Sequence, residues 1–350
     1  MDIALNFIET LVTQLQKPTL AFLIAGAALA AFGSRFEIPA PVYKFIVALL
    51  LLKVGMNAGI SIRGADWVTL LVPAVGAVVL GVVIVLLGST LLSRARGVSK
   101  VDGFATAGLF GAVSASTLAA GMAMLDDEGI AYEGFIGALY PFMDMAALVT
   151  AIVLARLSAA RAKVAPDASG TATMSGPPIG TAWSDGVDMF KEILSDTLRS
   201  PAISALIAGL ALGLLSRPES VFDSFYEPLF RGLLSLLMLI MGMEAWSRLS
   251  EMRKVAHVYV LYGISAPIVH GLLGFGVGLA AHHLTGFSEG GVILLAVMAA
   301  SSSDISGPPT IRAALPEANV SAYVGTSTGL GTPVAILSIP LFMALAEIAI

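Results

Sequence analysis

Apolar residues run in long blocks along this chain, separated by short polar punctuation. A hydrocarbon core about 30 Å thick needs about 20 apolar residues per crossing helix. Ten blocks approach that length, near 18–33, 41–62, 67–92, 103–124, 134–156, 201–216, 228–248, 256–282, 290–313 and 320–348. The pattern predicts an all-α polytopic membrane protein with ten transmembrane helices. One long polar stretch, 157–200, is rich in Ala, Gly, Pro, Ser and Thr and reads as a flexible linker. Residues 3–15, and the face formed by Phe190, Ile193, Leu194 and Leu198, pattern as amphipathic helices lying along the membrane surface.

Composition agrees with the pattern. Of 350 residues 57% are hydrophobic and 12% charged, against about 45–50% and about 25% in soluble domains. The net charge of −5 carries no basic field, so nucleic acid is not an expected partner. The absence of cysteine removes disulfides, thiol catalysis and Cys-ligated metals. The four histidines have no metal-ligand spacing. No cleavable signal peptide is expected, because Asp2 and Glu9 fall where an apolar segment would be needed.

Lys and Arg sort by loop. The odd-numbered loops hold Arg35; Arg94, Arg96 and Lys100; Arg156, Arg161, Lys163, Lys191 and Arg199; Arg248, Arg253 and Lys254; and Arg312. The even side holds Lys17, Arg63 and Arg217, with an acidic run at Asp126, Asp127 and Glu128. The bias places the odd loops and the linker in the cytoplasm and both termini outside.

The second half of the chain resembles the first. Phe7, Glu9, Leu11 and Leu15 align with Phe190, Glu192, Leu194 and Leu198. LIAG at 23–26 aligns with LIAG at 206–209, Gly55-Met56 with Gly242-Met243, and Ile136-Gly137 with Val324-Gly325. Each half holds five blocks, an odd number, so the halves insert with opposite orientation. That is a secondary-transporter architecture, with the site at the repeat interface. The expected division is a first repeat over 1–156, a cytoplasmic linker over 157–184 and a second repeat over 185–350.

Two blocks depart from lipid-facing composition. The fourth contains Gly108, Gly111, Ser114, Ser116 and Thr117; the ninth contains Ser301, Ser302, Ser303, Asp304, Ser306, Gly307, Pro308 and Pro309. The proline pair should break the helix, and irregular backbone survives at membrane depth only inside protein or along an aqueous cavity. Small residues also serve tight helix packing, which accounts equally well for Gly108, Gly111 and Gly121. Three hydroxyls beside a carboxylate exceed that need. A carboxylate in a span costs about 2.5–3.5 kcal/mol on insertion scales, so Asp304 and Asp144 are site candidates. The tenth block adds Thr326, Ser327, Thr328 and Thr332 around three glycines and Pro333.

Carboxylate, hydroxyl and freed carbonyl oxygens suit a hard cation; Na+ fits, as does protonation without metal. No Lys or Arg lies in these motifs. An anion there would be small, held by helix N-termini, by hydroxyls that donate and accept, and by a neighbouring cation. This allows bicarbonate without singling it out. Lys53, Asn57, Glu244 and His270 are further intramembrane polar residues, with Asn57 and Glu244 repeat-equivalent.

LYPFMDMAALVTAIV, EPLFRGLLSLLMLIMGMEAWSRL and above all ASSSDISGPPTIRA resemble the cyanobacterial sodium-dependent bicarbonate transporter family over nearly the whole chain. The resemblance implies ten spans in two inverted five-helix repeats, core and gate domains, a homotrimer, and a plasma-membrane location. It implies bicarbonate import driven by Na+ and inhibition by a cytoplasmic PII-like regulatory protein. It places the site on Ser114, Ser116 and Thr117 and on Ser301, Ser302, Ser303 and Asp304; the expected substrate contacts are the hydroxyl residues of this set together with Gly111. Sodium ligands are expected at Asp304 and Ser303, and, from the chemistry of the residues, at Asp144 and Thr332. The residues leave two other readings: a sodium/proton antiporter, and an intramembrane aspartyl protease using Asp144 and Asp304. No organic cofactor and no catalytic residue are expected.

Overall fold

The computed structural model describes residues 16–64, 67–164, 191, 195, 198–251 and 257–350. The amphipathic segment 3–15, most of the linker, and Arg253 and Lys254 lie outside the described residues. All regular elements among those described are helical. They are α1 (Pro18–Ala31), α2 (Ala40–Ile62), α3 (Trp67–Leu92), α4 (Lys100–Gly111), α5 (Ala115–Glu128), and α6 (Tyr140–Val164), which a 3₁₀ turn at Gly134–Leu139 precedes. Then come α7 (Pro201–Leu215), two short helical turns at Glu219–Val221 and Phe222–Tyr226, α8 (Glu227–Glu251), α9 (His257–Thr285), α10 (Glu289–Ala300) and α11 (Gly307–Ala314). The chain ends in α12 (Val320–Val324), a π-helical stretch at Gly325–Gly331, α13 (Thr332–Leu337) and α14 (Ile339–Ala349).

Seven helical segments are long and apolar enough to cross a membrane, and the protein is a polytopic membrane protein. Three of the expected ten spans, α1, α7 and α10, are apolar but only 14, 15 and 12 residues long. At 1.5 Å rise per residue they reach about 18–23 Å. For these three the expectation rests on apolar character, not on length.

Local chemistry sets the helix boundaries. Pro opens α1 and α7 at the first turn, where its missing N–H costs nothing. Ser99, Ser114, Ser200 and Ser288 cap α4, α5, α7 and α10 by accepting backbone N–H bonds from Asp102, Thr117, Ile203 and Gly291. Gly129 ends α5 at φ 70°, a conformation glycine reaches without Cβ strain.

The fourth and ninth blocks are each two helices. α4 and α5 flank extended residues 112–114, and α10 and α11 flank residues 301–306. The break in the ninth block is upstream of its proline pair. Helix α10 ends at Ala300, and Pro308 and Pro309 fall in the first turn of α11. Prolines are tolerated there and forbidden four residues further in.

Close backbone approaches fix two helix pairs, α1 with α8 and α2 with α7. A Cβ on Gly242 would stand 2.8 Å from Ala27 N; one on Gly55 would stand 2.9 Å from Leu210 N; one on Gly209, 2.9 Å from Met56 N. Cβ atoms there would collide with backbone, so glycine is required at each. Helices α3 and α9 expose Leu71, Leu91, Leu261 and Val269, an apolar surface that a bilayer covers. By contrast the apolar window of the α4–α5 segment is 100% buried. The broken pair therefore sits inside the protein, away from lipid.

Candidate functional site

The two interruptions meet and satisfy each other's backbone. Ser303 N–H donates to the Leu109 carbonyl at 2.8 Å, supplying a partner that the end of α4 lacks. Ser114 N–H donates to Ser301 Oγ at 3.0 Å. The Ser301 hydroxyl donates to Met298 O at 2.7 Å. In a dry interior an unpaired backbone group would cost several kcal/mol, so each break needs the other.

Asp144 on α6 spans the two breaks. Its Oδ1 accepts from Val113 N–H at 3.2 Å and its Oδ2 accepts from the Ser306 hydroxyl at 3.0 Å. Ser306 in turn lies 3.0 Å from Ser303 Oγ and 3.2 Å from Tyr140 OH. Since the Ser306 proton goes to Asp144, Ser303 and Tyr140 donate to Ser306. Ser303 Oγ also accepts from Gly307 N–H at 2.9 Å. Its proton is thereby committed, and it offers the site only a lone pair.

Asp304 behaves differently. Its Oδ2 accepts from the Ser116 hydroxyl at 2.5 Å, and its Oδ1, shielded from solvent, has no hydrogen-bond partner among the described residues. The donors behind it form a directed chain. Thr117 Oγ1 donates to Ser114 Oγ at 3.0 Å, and Ser114 and Ser116 hydroxyls lie 2.8 Å apart. With the Ser116 proton on an ionised Asp304, Ser114 must donate to Ser116. Every hydroxyl in the run Thr117, Ser114, Ser116 points toward one carboxylate, an arrangement in which each bond polarises the next. Ser114, Ser116, Thr117, Ser301, Ser302 and Ser303 are all buried.

The π-helical stretch supplies the third wall. Ser302 Oγ donates to Ser327 O at 3.0 Å and lies 3.3 Å from Thr332 Oγ1, which also reaches Ser327 O at 3.3 Å. A Cβ on Gly331 would stand 3.0 Å from Ser302 Oγ, so the missing side chain makes room for this approach.

The two helix N-termini at the crossing differ in donors. In α11, Gly307 N–H is taken by Ser303, and Pro308 and Pro309 have none. In α5, the Thr117 N–H is taken by Ser114, while those of Ala115 and Ser116 have no partner among the described residues. The first end offers oxygen lone pairs, the second offers N–H groups and the positive end of a helix dipole.

The structure thus gathers Ser114, Ser116, Thr117, Ser301, Ser302, Ser303, Asp304, Asp144 and Thr332. Gly111 stands apart: a Cβ on it would meet Val85 and Ala147, so its side faces helix packing. Ser306, Tyr140 and Ser327 belong to the network; the sequence places Ser306 and Ser327 in the abnormal blocks but assigns no ligand role to any of the three. Ser306 was visible as the i+3 partner of Ser303; Tyr140 and the Ser327 carbonyl carry no sequence signal of their own. The Asp144 and Asp304 carboxylates make no hydrogen bond with each other, which removes the shared proton that a protease dyad needs.

The other polar residues of the apolar helices make contacts of their own. Lys53 pairs with Glu227 at 2.9 Å, with its ammonium 4.2 Å from the Phe230 ring centroid. His270 packs edge-on to Phe110 and Tyr262. Glu244, with Arg35 and Glu37, lines a cavity of about 440 Å³ beside the end of α1. Asn57 makes no side-chain hydrogen bond among the described residues.

No curated protein matches the chain. The sequence profile of the Na+-dependent bicarbonate transporter superfamily matches residues 18–347, a span that includes both breaks, Asp144 and the π-helical stretch. The chain therefore belongs to the Na+-dependent bicarbonate transporter superfamily, a family of transporters and not of enzymes.

Proposed function

We propose that this protein is a symporter that imports bicarbonate with Na+ across the plasma membrane, by alternating access of a core domain against a gate domain. The observation that carries the reading is the crossing of the two broken segments, where Asp304 keeps one oxygen unpartnered beside hydroxyls whose protons are already committed. That oxygen and the lone pairs of Ser303 and Thr332 form a set suited to Na+. The two partnerless N–H groups at the start of α5 suit a small monovalent anion. Asp144, with both oxygens engaged by the protein, holds the two breaks together and is not itself a sodium ligand on this reading.

The finer architecture in this proposal is ten spans in two inverted five-helix repeats, 1–156 and 185–350, joined by a cytoplasmic linker, with both termini outside. Reciprocal glycine contacts support it. The alignment equates Gly55 with Gly242 and Leu210 with Ala27, and Gly55 meets Leu210 as Gly242 meets Ala27. A two-fold relation between the halves requires such an exchange. The proposal also includes a homotrimer and a cytoplasmic PII-like inhibitor, both drawn from the family resemblance.

Uptake of labelled bicarbonate into proteoliposomes tests the reading. Uptake should accelerate with an inward Na+ gradient and carry labelled Na+ with it. Uptake indifferent to Na+, or Na+ movement that exchanges for protons without bicarbonate, would overturn it.

A further inference from the structure

Each hydroxyl has one proton, and the hydrogen bonds at this site give most of those protons an acceptor. Ser301 donates to Met298 O, Ser302 to Ser327 O, and Thr117 and Ser114 donate down the chain. Ser303 and Ser306 feed Asp144. The proton at the end of the chain, on Ser116, is the only one in that run held by a carboxylate that also keeps an unpartnered oxygen. Ser116 is also the second residue of α5, and its own N–H is one of the two without a partner. One side chain therefore stands between the place that suits a cation and the place that suits an anion.

We propose that Ser116 couples the two ligands, through a hydroxyl proton that Asp304 holds when Na+ is absent and that turns to the anion when Na+ engages Asp304. The proposal rests on the symport reading above and adds its coupling element. An ionised Asp304 without a cation attracts the Ser116 proton strongly, because charged acceptors outbid neutral ones. A cation on Asp304 neutralises that pull. The freed hydroxyl then joins the N–H groups of Ala115 and Ser116 around the anion. A hydrogen bond to a charged partner changes affinity by about tenfold or more. Direct attraction between cation and anion adds to this and does not depend on Ser116. No covalent bond is made or broken; a proton stays on Ser116 throughout and only its acceptor changes.

The test is equilibrium binding of labelled bicarbonate to the purified full chain at limiting and saturating Na+, in sealed samples at mildly alkaline pH. The ratio of the two affinities is the coupling factor, and the reciprocal measurement with labelled Na+ must give the same factor. Ser116→Ala should lower it about tenfold, leaving the part due to direct attraction. Ser116→Thr, which keeps the proton, should restore it. Ser116→Cys, a weaker donor, should fall between, and decides the matter if the alanine variant does not fold. A wild-type coupling factor in Ser116→Ala overturns the proposal. So does a uniform loss of both affinities at an unchanged factor, which marks a packing role. A wild-type protein whose bicarbonate binding ignores Na+ removes the symport reading itself, and this proposal with it.

Discussion

Asp144 and Asp304 are both carboxylates at the crossing of the two breaks, yet the structure assigns them opposite consequences on substitution. Asp144 is fully buried and receives two donors, Val113 N–H and the Ser306 hydroxyl, from the two separate breaks. In Asp144→Ala both donors lose their acceptor. An unsatisfied buried donor costs about 1–3 kcal/mol, so the pair costs about 2–6 kcal/mol. Asp144→Asn keeps one accepting oxygen but turns an amide toward the other donor. If that is Ser306, the hydroxyl must reverse, and it already accepts from Ser303 and Tyr140. One of those bonds must then break, for about 1–3 kcal/mol. The assay is thermal unfolding of detergent-purified protein, followed by the Na+ dependence of uptake for whichever variant survives. Asp144→Asn should unfold at lower temperature than wild type, and Asp144→Ala lower still. The Na+ concentration for half-maximal uptake by Asp144→Asn should stay within about threefold, since both oxygens already serve protein donors while Asp304 keeps one that serves none. An Asp144→Asn protein as stable as wild type but insensitive to Na+ would make Asp144 a cation ligand and refute this reasoning.

Four further outcomes follow from the same geometry. Asp304→Asn should raise the Na+ concentration needed for uptake by about tenfold or more while expression and stability hold, because the oxygen removed serves no protein donor; unchanged Na+ titration would exclude Asp304 as a ligand. Ser302→Ala should lower apparent bicarbonate affinity by about tenfold or less, through release of the Ser327 carbonyl it now engages; unchanged uptake kinetics would leave Ser302 a packing residue. Gly242→Ala should lower the unfolding temperature, since its Cβ would meet α1 backbone 2.8 Å away and prising packed helices apart costs about 1–3 kcal/mol or more; Gly55→Ala should behave alike, and a neutral effect of either would contradict the close approach. The Lys53–Glu227 pair should respond asymmetrically: Lys53 is 3% exposed and Glu227 48%, so Glu227→Gln strands a buried cation and should destabilise more than Lys53→Met, which leaves a carboxylate that water can reach. The reverse order in a thermal-shift comparison would refute it.

The resemblance gave the family correctly from ASSSDISGPPTIRA and its neighbours. The residues alone went less far. They located the two abnormal blocks because lipid cannot accept hydroxyl runs, carboxylates or proline pairs without protein around them, and that constraint is local. They misplaced the second break by reading Pro308 and Pro309 as the interruption, when a proline opens a helix as readily as it ends one. They left Gly111 among the contacts, although its open face is filled by Val85 and Ala147.

Hydrophobic block length by itself determined that the chain is helical and lies in a membrane, because the bilayer imposes one length and one way to satisfy the backbone. Residue type determined which segments hold polar groups. Only the tertiary structure decided what those groups do, because each hydroxyl has one proton to give, and which acceptor takes it depends on partners from distant helices. Asp144 and Asp304 look alike in sequence. The placement of Val113 and Ser306 on separate oxygens of the first, and of Ser116 on one oxygen of the second, separates a brace from a carboxylate with an oxygen to spare.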